Sequence, residues 1–347
     1  MRIEKEINQV FVKAPFIFEK RKKTVEVSHD DVLVRIKSCG ICGSDIQRAK
    51  NGAIEFTHVG HEIAGTVEAI GENINRFKKG DLVVAENHTL CGVCESCKNG
   101  MPAFCKNIKT YYGQEGGMAD YILVHNSMLY PYNSLTFEEA VMAEPLTVAL
   151  DIVKACDIQL NSTVAVFGAG TIGLLILQLV KQMGAKNIML VDSSLKDPQS
   201  SFRLNTGKSL GADKIIGYED DDFIDFVEDE YPEGFDRVII TSPPATIRGA
   251  IKIAKFGGII GLIGIVYGPD SIVSFDMNEF HFKRLQLRCI HPTPNLYFPL
   301  ALNLLNNKKV TVDKIITHRI DFENYRDAFD IVQNKKQHAI KIIINMK

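Results

Sequence analysis

Along the first 130 residues the apolar positions come in short alternating runs cut by Gly, Asp and Asn. Residues 31–37 (Asp-Val-Leu-Val-Arg-Ile-Lys), 63–70 (Ile-Ala-Gly-Thr-Val-Glu-Ala-Ile) and 81–85 (Asp-Leu-Val-Val-Ala) carry β-branched side chains between those breakers. That pattern predicts strands in an irregular, mostly β domain. At Thr136 it turns helical. Thr136-Phe-Glu-Glu139 fits a capping box, in which hydroxyl and carboxylate each serve the other residue's backbone N–H, and Ala140 onward stays apolar. Pro145 must interrupt that helix, because it lacks an N–H and its ring clashes with the preceding turn. Proline is tolerated at a helix's first position, so a second helix is expected over 145–156 with Glu144 at the break.

From Thr163 onward, strand and helix patterns alternate. Strands are expected at Thr163–Phe167 and at 187–191, 214–216, 236–240, 258–263 and 286–290, most of them separated by helical stretches. Such an order reads as an α/β unit built on a doubly wound parallel sheet. Past Pro292 come a helix near 297–305 and a last strand at 339–345. There is no repeat and no low-complexity linker. The apolar run 172–180 is too short to span a bilayer. The charged start Met1-Arg-Ile-Glu lacks the apolar core of a secretory signal, so a cytoplasmic protein is expected.

Charge narrows the partners. Forty basic residues face 42 acidic ones, for a net charge of −2. Without a strong field, neither nucleic acid nor membrane is expected, and a small molecule is. A reducing compartment also favours metal-binding or catalytic roles over disulfides for the eight cysteines.

Val164-Ala-Val-Phe-Gly168-Ala-Gly170-Thr171-Ile172-Gly173 is a strand, a G-x-G-x-x-G turn and the start of an apolar helix. The first glycine permits the tight turn, the second lets backbone approach a pyrophosphate, and the third lets helix pack on sheet. The helix start offers N–H groups to the phosphates. Asp192, closing the next strand, is placed to accept hydrogen bonds from the ribose hydroxyls of NAD. Arg203, with Lys196, lies downstream beside the cofactor and keeps NADP open as an alternative. A glycine turn in an unrelated α/β protein is the plain alternative to the whole motif.

Cys91, Cys94, Cys97 and Cys105 stand within fifteen residues. One lobe can wrap four such sulfurs around a tetrahedral zinc, and four protein ligands leave no open position, so this zinc is expected to be structural. An iron–sulfur cluster is the rival occupant. Elsewhere Gly40-Ile-Cys42-Gly-Ser44-Asp45 and Gly60-His61-Glu62 supply a thiolate, an imidazole and carboxylates. A catalytic zinc wants about three protein ligands and an exchangeable position. Cys42 and His61 are nineteen residues apart, so spacing alone does not pair them. A redox reading of Cys39-Gly-Ile-Cys42 is weak, because no βαβ unit surrounds it.

Taken together, these motifs resemble the zinc-dependent medium-chain dehydrogenases, in particular the sorbitol (L-iditol) and polyol dehydrogenase branch. The likeness runs over nearly the whole chain and includes Glu144-Pro-Leu146 and Leu210-Gly-Ala-Asp213. It implies a GroES-like β-rich catalytic domain over 1–148 and 291–347, with a structural-zinc lobe at about 88–108, and a Rossmann cofactor domain over 149–290. It implies one catalytic and one structural zinc, NAD as cofactor, and a homodimer or homotetramer. Cys42 and His61 resemble the catalytic zinc ligands, and Glu62 a carboxylate that binds or neighbours the metal. Glu144 stands where the alcohol dehydrogenase branch has a third cysteine. In polyol-type members a glutamate there ligates zinc or holds its water. Asp45 resembles the carboxylate that orients the histidine ligand, and Ser44 the hydroxyl that passes the substrate proton on. Substrate is expected in the cleft between the domains. Two departures stand out: Gln47 occupies a position where some members have a proton-relaying histidine, and the 193–202 loop is longer than usual.

Reversible oxidation of a secondary alcohol in a polyol or sugar derivative follows from that resemblance. The alternatives are an L-threonine 3-dehydrogenase, a galactitol-1-phosphate type dehydrogenase, or a nucleotide-binding sensor that has lost the chemistry. Plainer roles are expected for the remaining residues. Cys156 and Cys289 read as core thiols and Cys39 as structural. His29, His58, His88, His125, His281, His318 and His338 read as core or surface residues, while His291 is a candidate to approach the nicotinamide. The run 219–222 reads as a solvated loop, and Tyr111-Tyr112 as pocket lining or packing.

Overall fold

The structure, a computed structural model, describes residues 4–111, 115–220, 222–334 and 338–347. They form two compact units, one running to Thr147 and resuming at Pro292, the other spanning Val148–His291.

In the first unit a seven-stranded sheet is built around Asp31–Gly40, which pairs antiparallel with Glu62–Ile70 and Tyr121–His125. Its other neighbour is the C-terminal strand Lys341–Asn345, antiparallel, with Ile343 opposite Gly40. Alternation along these strands buries one continuous apolar layer, including Val34, Ile36, Val67, Ile122 and Ile344. A separate three-stranded sheet starts with the hairpin Glu4–Lys13 and Ile17–Glu26, paired along all ten residues. Its outer strand carries Lys20, Arg21, Lys22 and Lys23, charges that protect a sheet edge from unwanted pairing.

The helix after Thr136 forms as the capping box predicts. Thr136 Oγ1 accepts the Glu139 N–H at 3.1 Å, and Glu139 Oε2 accepts the Thr136 N–H at 2.9 Å. The break comes two residues earlier than expected: Phe137–Ala140 ends and Ala143–Ala155 begins, so Pro145 lies inside the first turn. No intrahelical bond is lost there, because the first four N–H groups of a helix have no intrahelical acceptor.

The second unit is a six-stranded, wholly parallel sheet. In spatial order its strands are Lys214–Gly217, Asn187–Asp192, Thr163–Phe167, Phe235–Ile240, Ala254–Leu262 and Gln286–Cys289. The order reverses beside Thr163–Phe167, the place where open α/β sheets bind ligands at their carboxyl ends. The outermost strand, Gln286–Cys289, is largely exposed, and Cys289 with it. Cys289 is therefore not the core thiol its apolar neighbours suggest, whereas Cys156 and Cys39 are fully buried. Among the described residues, no helix is long and apolar enough to cross a membrane.

Candidate functional site

In the Cys91–Cys105 lobe, the sulfurs of Cys94 and Cys97 lie 3.6 Å apart, Cys94 and Cys105 3.9 Å, and Cys105 and Cys91 3.6 Å. A zinc with sulfurs at about 2.3 Å defines a tetrahedron with edges of about 3.8 Å. The donor set fits that ion without rearrangement. Backbone aims the sulfurs: the Cys94 N–H donates to Cys91 Sγ and the Cys91 N–H to Cys105 Sγ, both at 3.3 Å. N–H groups of Cys97 and Lys106 push the Cys94 thiol down to about 6.

The second cluster depends on sheet pairing. Gly40 lies opposite Glu62 across the ladder, so the turn following one strand meets the residues opening the other. The ligand atoms of Cys42, His61 and Glu62 consequently lie within 4.8 Å of one another, His61 and Glu62 buried and Cys42 half-buried. A soft thiolate, an imidazole and a carboxylate form a donor set that suits zinc. Asp45, fully buried, accepts the N–H groups of Cys42 at 3.0 Å and Gly60 at 3.1 Å, and its Oδ1 stands 3.6 Å from His61 Nδ1. Burial alone would raise its pKa, but His61 and those N–H groups outweigh burial and keep the carboxyl below the ordinary range.

Glu144 stands outside that trio of ligand atoms. It is buried, burial pushes its carboxyl up to about 7, and Asn295 Nδ2 reaches its Oε1 at 3.4 Å. Asn295 also exchanges backbone contacts with His88: its Oδ1 accepts the His88 N–H, and its own N–H donates to the His88 carbonyl at 2.8 Å. Ser44 lies in the short helix Gly43–Gln47 that follows Cys42.

Three residues near these groups carry no motif. Tyr111 is buried and donates its hydroxyl to the His61 carbonyl at 3.0 Å, while Tyr112 lies outside the described residues. Asn295 is 3% exposed. Lys341 is 2% exposed, and its Nζ donates to Glu62 Oε1 at 2.6 Å and to the Ile41 carbonyl at 3.0 Å. A lone lysine in an otherwise apolar terminal strand, Ala339-Ile-Lys341-Ile-Ile-Ile, is the signal that could have exposed it. The pair leaves no room beside it, since a Cβ on Gly40 would sit 1.9 Å from Glu62 Oε2.

In the second unit the glycine turn has the expected form. Gly168 takes a φ of +102°, and a Cβ on Gly173 would meet the Gly168 carbonyl at 1.8 Å. A Cβ on Gly170 would meet nothing within 4 Å, the open cradle a pyrophosphate needs. Thr171 and Ile172 begin the helix Thr171–Gln182. Asp192 ends its strand, accepting the Ala169 N–H at Oδ2 and the Ser193 N–H at Oδ1. Arg203 sits on the helix Pro198–Leu210 and acts electrostatically on Asp192.

Comparison with known proteins matches the same two regions. Residues 28–134 match the family described as alcohol dehydrogenase GroES-like domain, and residues 171–307 the one described as zinc-binding dehydrogenase. L-arabinitol 4-dehydrogenase of Aureobasidium melanogenum is 30% identical over 326 residues, covering 90% of this chain and 87% of that protein. The chain belongs to the zinc-dependent medium-chain dehydrogenase family. It is an oxidoreductase of zinc-type alcohol dehydrogenase class, with a GroES-like β domain and a Rossmann-type parallel sheet. L-threonine 3-dehydrogenase of Pectobacterium carotovorum is 28% identical over 334 residues, covering 93% of each chain. An Escherichia coli alcohol dehydrogenase solved with NADH superimposes with a TM-score of 0.87 at 25% identity, covering 98% of this chain and 99% of that one.

Several of the other histidines have partners away from the candidate site. His29 pairs with Glu72, His125 with Ser127 and His318 with Thr317, while the His58 ring packs at a tilt against Phe11, 4.6 Å between centroids. In the acidic run 219–222, Asp221 lies outside the described residues and Asp220 bonds the loop after Asp192.

Proposed function

We propose that this dehydrogenase oxidises a secondary alcohol of a polyol or sugar derivative to the ketone, reversibly, with NAD as the hydride acceptor. The observation that carries the reading is the Cys42–His61–Glu62 trio, its histidine and glutamate buried, with the buried carboxylate of Glu144 acting electrostatically on His61 and Glu62. Its resemblance to the polyol branch and the arabinitol dehydrogenase relative point to the same substrate class.

Cys42 and His61, with Glu62 or Glu144, would hold a zinc that supplies Lewis acidity for deprotonating the alcohol near neutral pH. Asp45 fixes His61 through position and charge, keeping the imidazole oriented toward Cys42. Lys341 neutralises Glu62, so that a site with several carboxylates does not accumulate uncompensated charge. Ser44 takes the substrate's hydroxyl proton as it gives up its own, and because Gln47 cannot relay that proton as an imidazole would, it leaves through solvent. Gly168, Gly170, Thr171, Ile172 and Gly173 bind the pyrophosphate through backbone, and Asp192 takes the ribose hydroxyls. NAD, held there, supplies the hydride acceptor.

We infer a homodimer or homotetramer as well. The edge strand Gln286–Cys289 lies open, with exposed Ile272, Met277 and Phe282 elsewhere in the same unit. Light scattering should give at least twice the chain mass, and a monomer at micromolar concentration would contradict this. A cytoplasmic setting suits a chain whose eight cysteines are all unpaired.

The reading is tested by NADH formation from the zinc-loaded protein over a panel of polyols, sugar acids, sugar phosphates and L-threonine. Turnover of a polyol or sugar derivative is expected. Turnover confined to L-threonine would replace the substrate class while retaining the site, and binding without any turnover would favour a sensor.

A further inference from the structure

The loop 193–197, directly after Asp192, has all five of its backbone N–H groups committed within the protein. Ser193 N–H goes to Asp192 Oδ1 at 2.8 Å and Ser194 N–H to Ser200 Oγ at 3.2 Å. Leu195 N–H goes to Asp220 Oδ2 at 3.2 Å, Lys196 N–H to Ser194 Oγ at 3.1 Å, and Asp197 N–H to the Ser194 carbonyl at 3.3 Å. The Ser194 hydroxyl itself donates to Asp220 Oδ1 at 2.6 Å. Asp220 therefore grips the loop with both oxygens, and it comes from a different connection, the one after strand Lys214–Gly217. The fit is close: a Cβ on Gly217 would meet Asp220 Oδ2 at 2.2 Å and Ser194 Cα at 2.7 Å. Glu219 N–H to the Ser193 carbonyl and Tyr218 N–H to the Asp192 carbonyl, at 2.8 and 2.7 Å, tie the two connections together.

This loop borders the ribose that Asp192 is placed to bind, where NADP carries an extra 2′-phosphate. A phosphate is ordinarily held by backbone N–H groups, hydroxyls and cations together. All three are here: the amides of the loop, the Ser194 hydroxyl, and the cations Lys196 and Arg203. Asp220 occupies the Ser194 hydroxyl and the Leu195 amide and adds a negative charge to the loop. We propose that Asp220 is a positioning residue for cofactor selectivity, holding the loop closed to a 2′-phosphate by taking the hydroxyl of Ser194 and the N–H of Leu195. The latch lets a loop that carries one cation, Lys196, and lies close in sequence to another, Arg203, reject NADP. The proposal rests on the nicotinamide-dinucleotide reading of the second unit.

The test is the dissociation constant of NADH and of NADPH, each followed by nicotinamide fluorescence on the zinc-loaded protein, without substrate. Wild type is expected to prefer NADH by at least about 100-fold, and Asp220→Ala to shrink that ratio about tenfold by tightening NADPH, because two donors become available to a dianion. Ser194→Ala keeps the carboxylate and its hold on Leu195, so NADPH should stay weak. A merely structural role for Asp220 predicts the opposite pattern, with both cofactors weakened together. An unchanged ratio in folded Asp220→Ala, or equal tightening in Ser194→Ala, would overturn the proposal. Wild type binding NADPH as well as NADH would overturn it too, leaving the dinucleotide site standing. Wild type binding neither would bring down that underlying reading.

Discussion

Replacing Lys341 by Met is expected to lower folding stability by about 3–5 kcal/mol and kcat/KM by about 10–100-fold. The side chain is 2% exposed and its partner Glu62 1%, so neither charge has water to fall back on. Burial alone would drive the lysine toward neutrality, but Glu62 and Cys42 outweigh burial and keep its pKa above the ordinary value. Methionine preserves length and apolar packing while removing the charge and the ammonium's hydrogen bonds to Glu62 and the Ile41 carbonyl. Glu62 is then left as an uncompensated buried carboxylate beside Cys42 and His61. Pairing Lys341→Met with Glu62→Gln should recover much of the stability, because the uncompensated charge is removed from both sides. Thermal unfolding and steady-state kinetics on the two single variants and the double variant check this. A single variant as stable and active as wild type would remove Lys341 from the account.

Cys97→Ser should cost the lobe its zinc and its order. Between Cys91 and Cys105 the regular structure is only the four-residue helix Glu95–Lys98 and the short turn Pro102–Phe104. Its larger apolar side chains face outward: Val93 is 71% exposed, Met101 47% and Phe104 70%. A segment with so little buried apolar surface cannot hold its own shape, so the metal supplies the folding free energy. Zinc bound at the lobe should fall to below about a tenth of an equivalent, with cleavage by a broad-specificity protease appearing between Cys91 and Cys105. Activity should suffer less than metal content, since Cys42 and His61 remain. A lobe that stays protease-resistant with one sulfur missing would show that something other than zinc holds it.

How much of this was legible beforehand depends on the range of the contacts involved. The second unit's strands were readable to within a few residues, because each is a compact apolar run bounded by turns. The four-cysteine lobe was readable because its sulfurs come from one short stretch of sequence. The N-terminal hairpin of two ten-residue strands was not delineated, since Lys20 to Lys23 break the alternation that marks a strand, and they do so because that strand lies on an edge. Cys289 was misplaced for a related reason: apolar neighbours do not reveal that a strand is outermost. At the trio of Cys42, His61 and Glu62, the residue types were visible but their meeting was not, for it depends on Gly40 standing opposite Glu62. Lys341 was missed because its partner lies 279 positions away, joined to it through the pairing of the last strand with Asp31–Gly40. Asn295 was missed in the same way, being tied to His88 and Glu144 only in the folded chain.

The most direct measurement compares wild type with Cys42→Ser, reading zinc per chain and NADH formed from whichever alcohol of the panel turns over. Two zinc ions per wild-type chain are predicted, with one retained in the lobe and turnover reduced at least about 1,000-fold in the variant. A Cys42→Ser protein that keeps both its second zinc and its turnover would contradict the assignment of Cys42, His61 and their neighbouring carboxylates as the reaction centre.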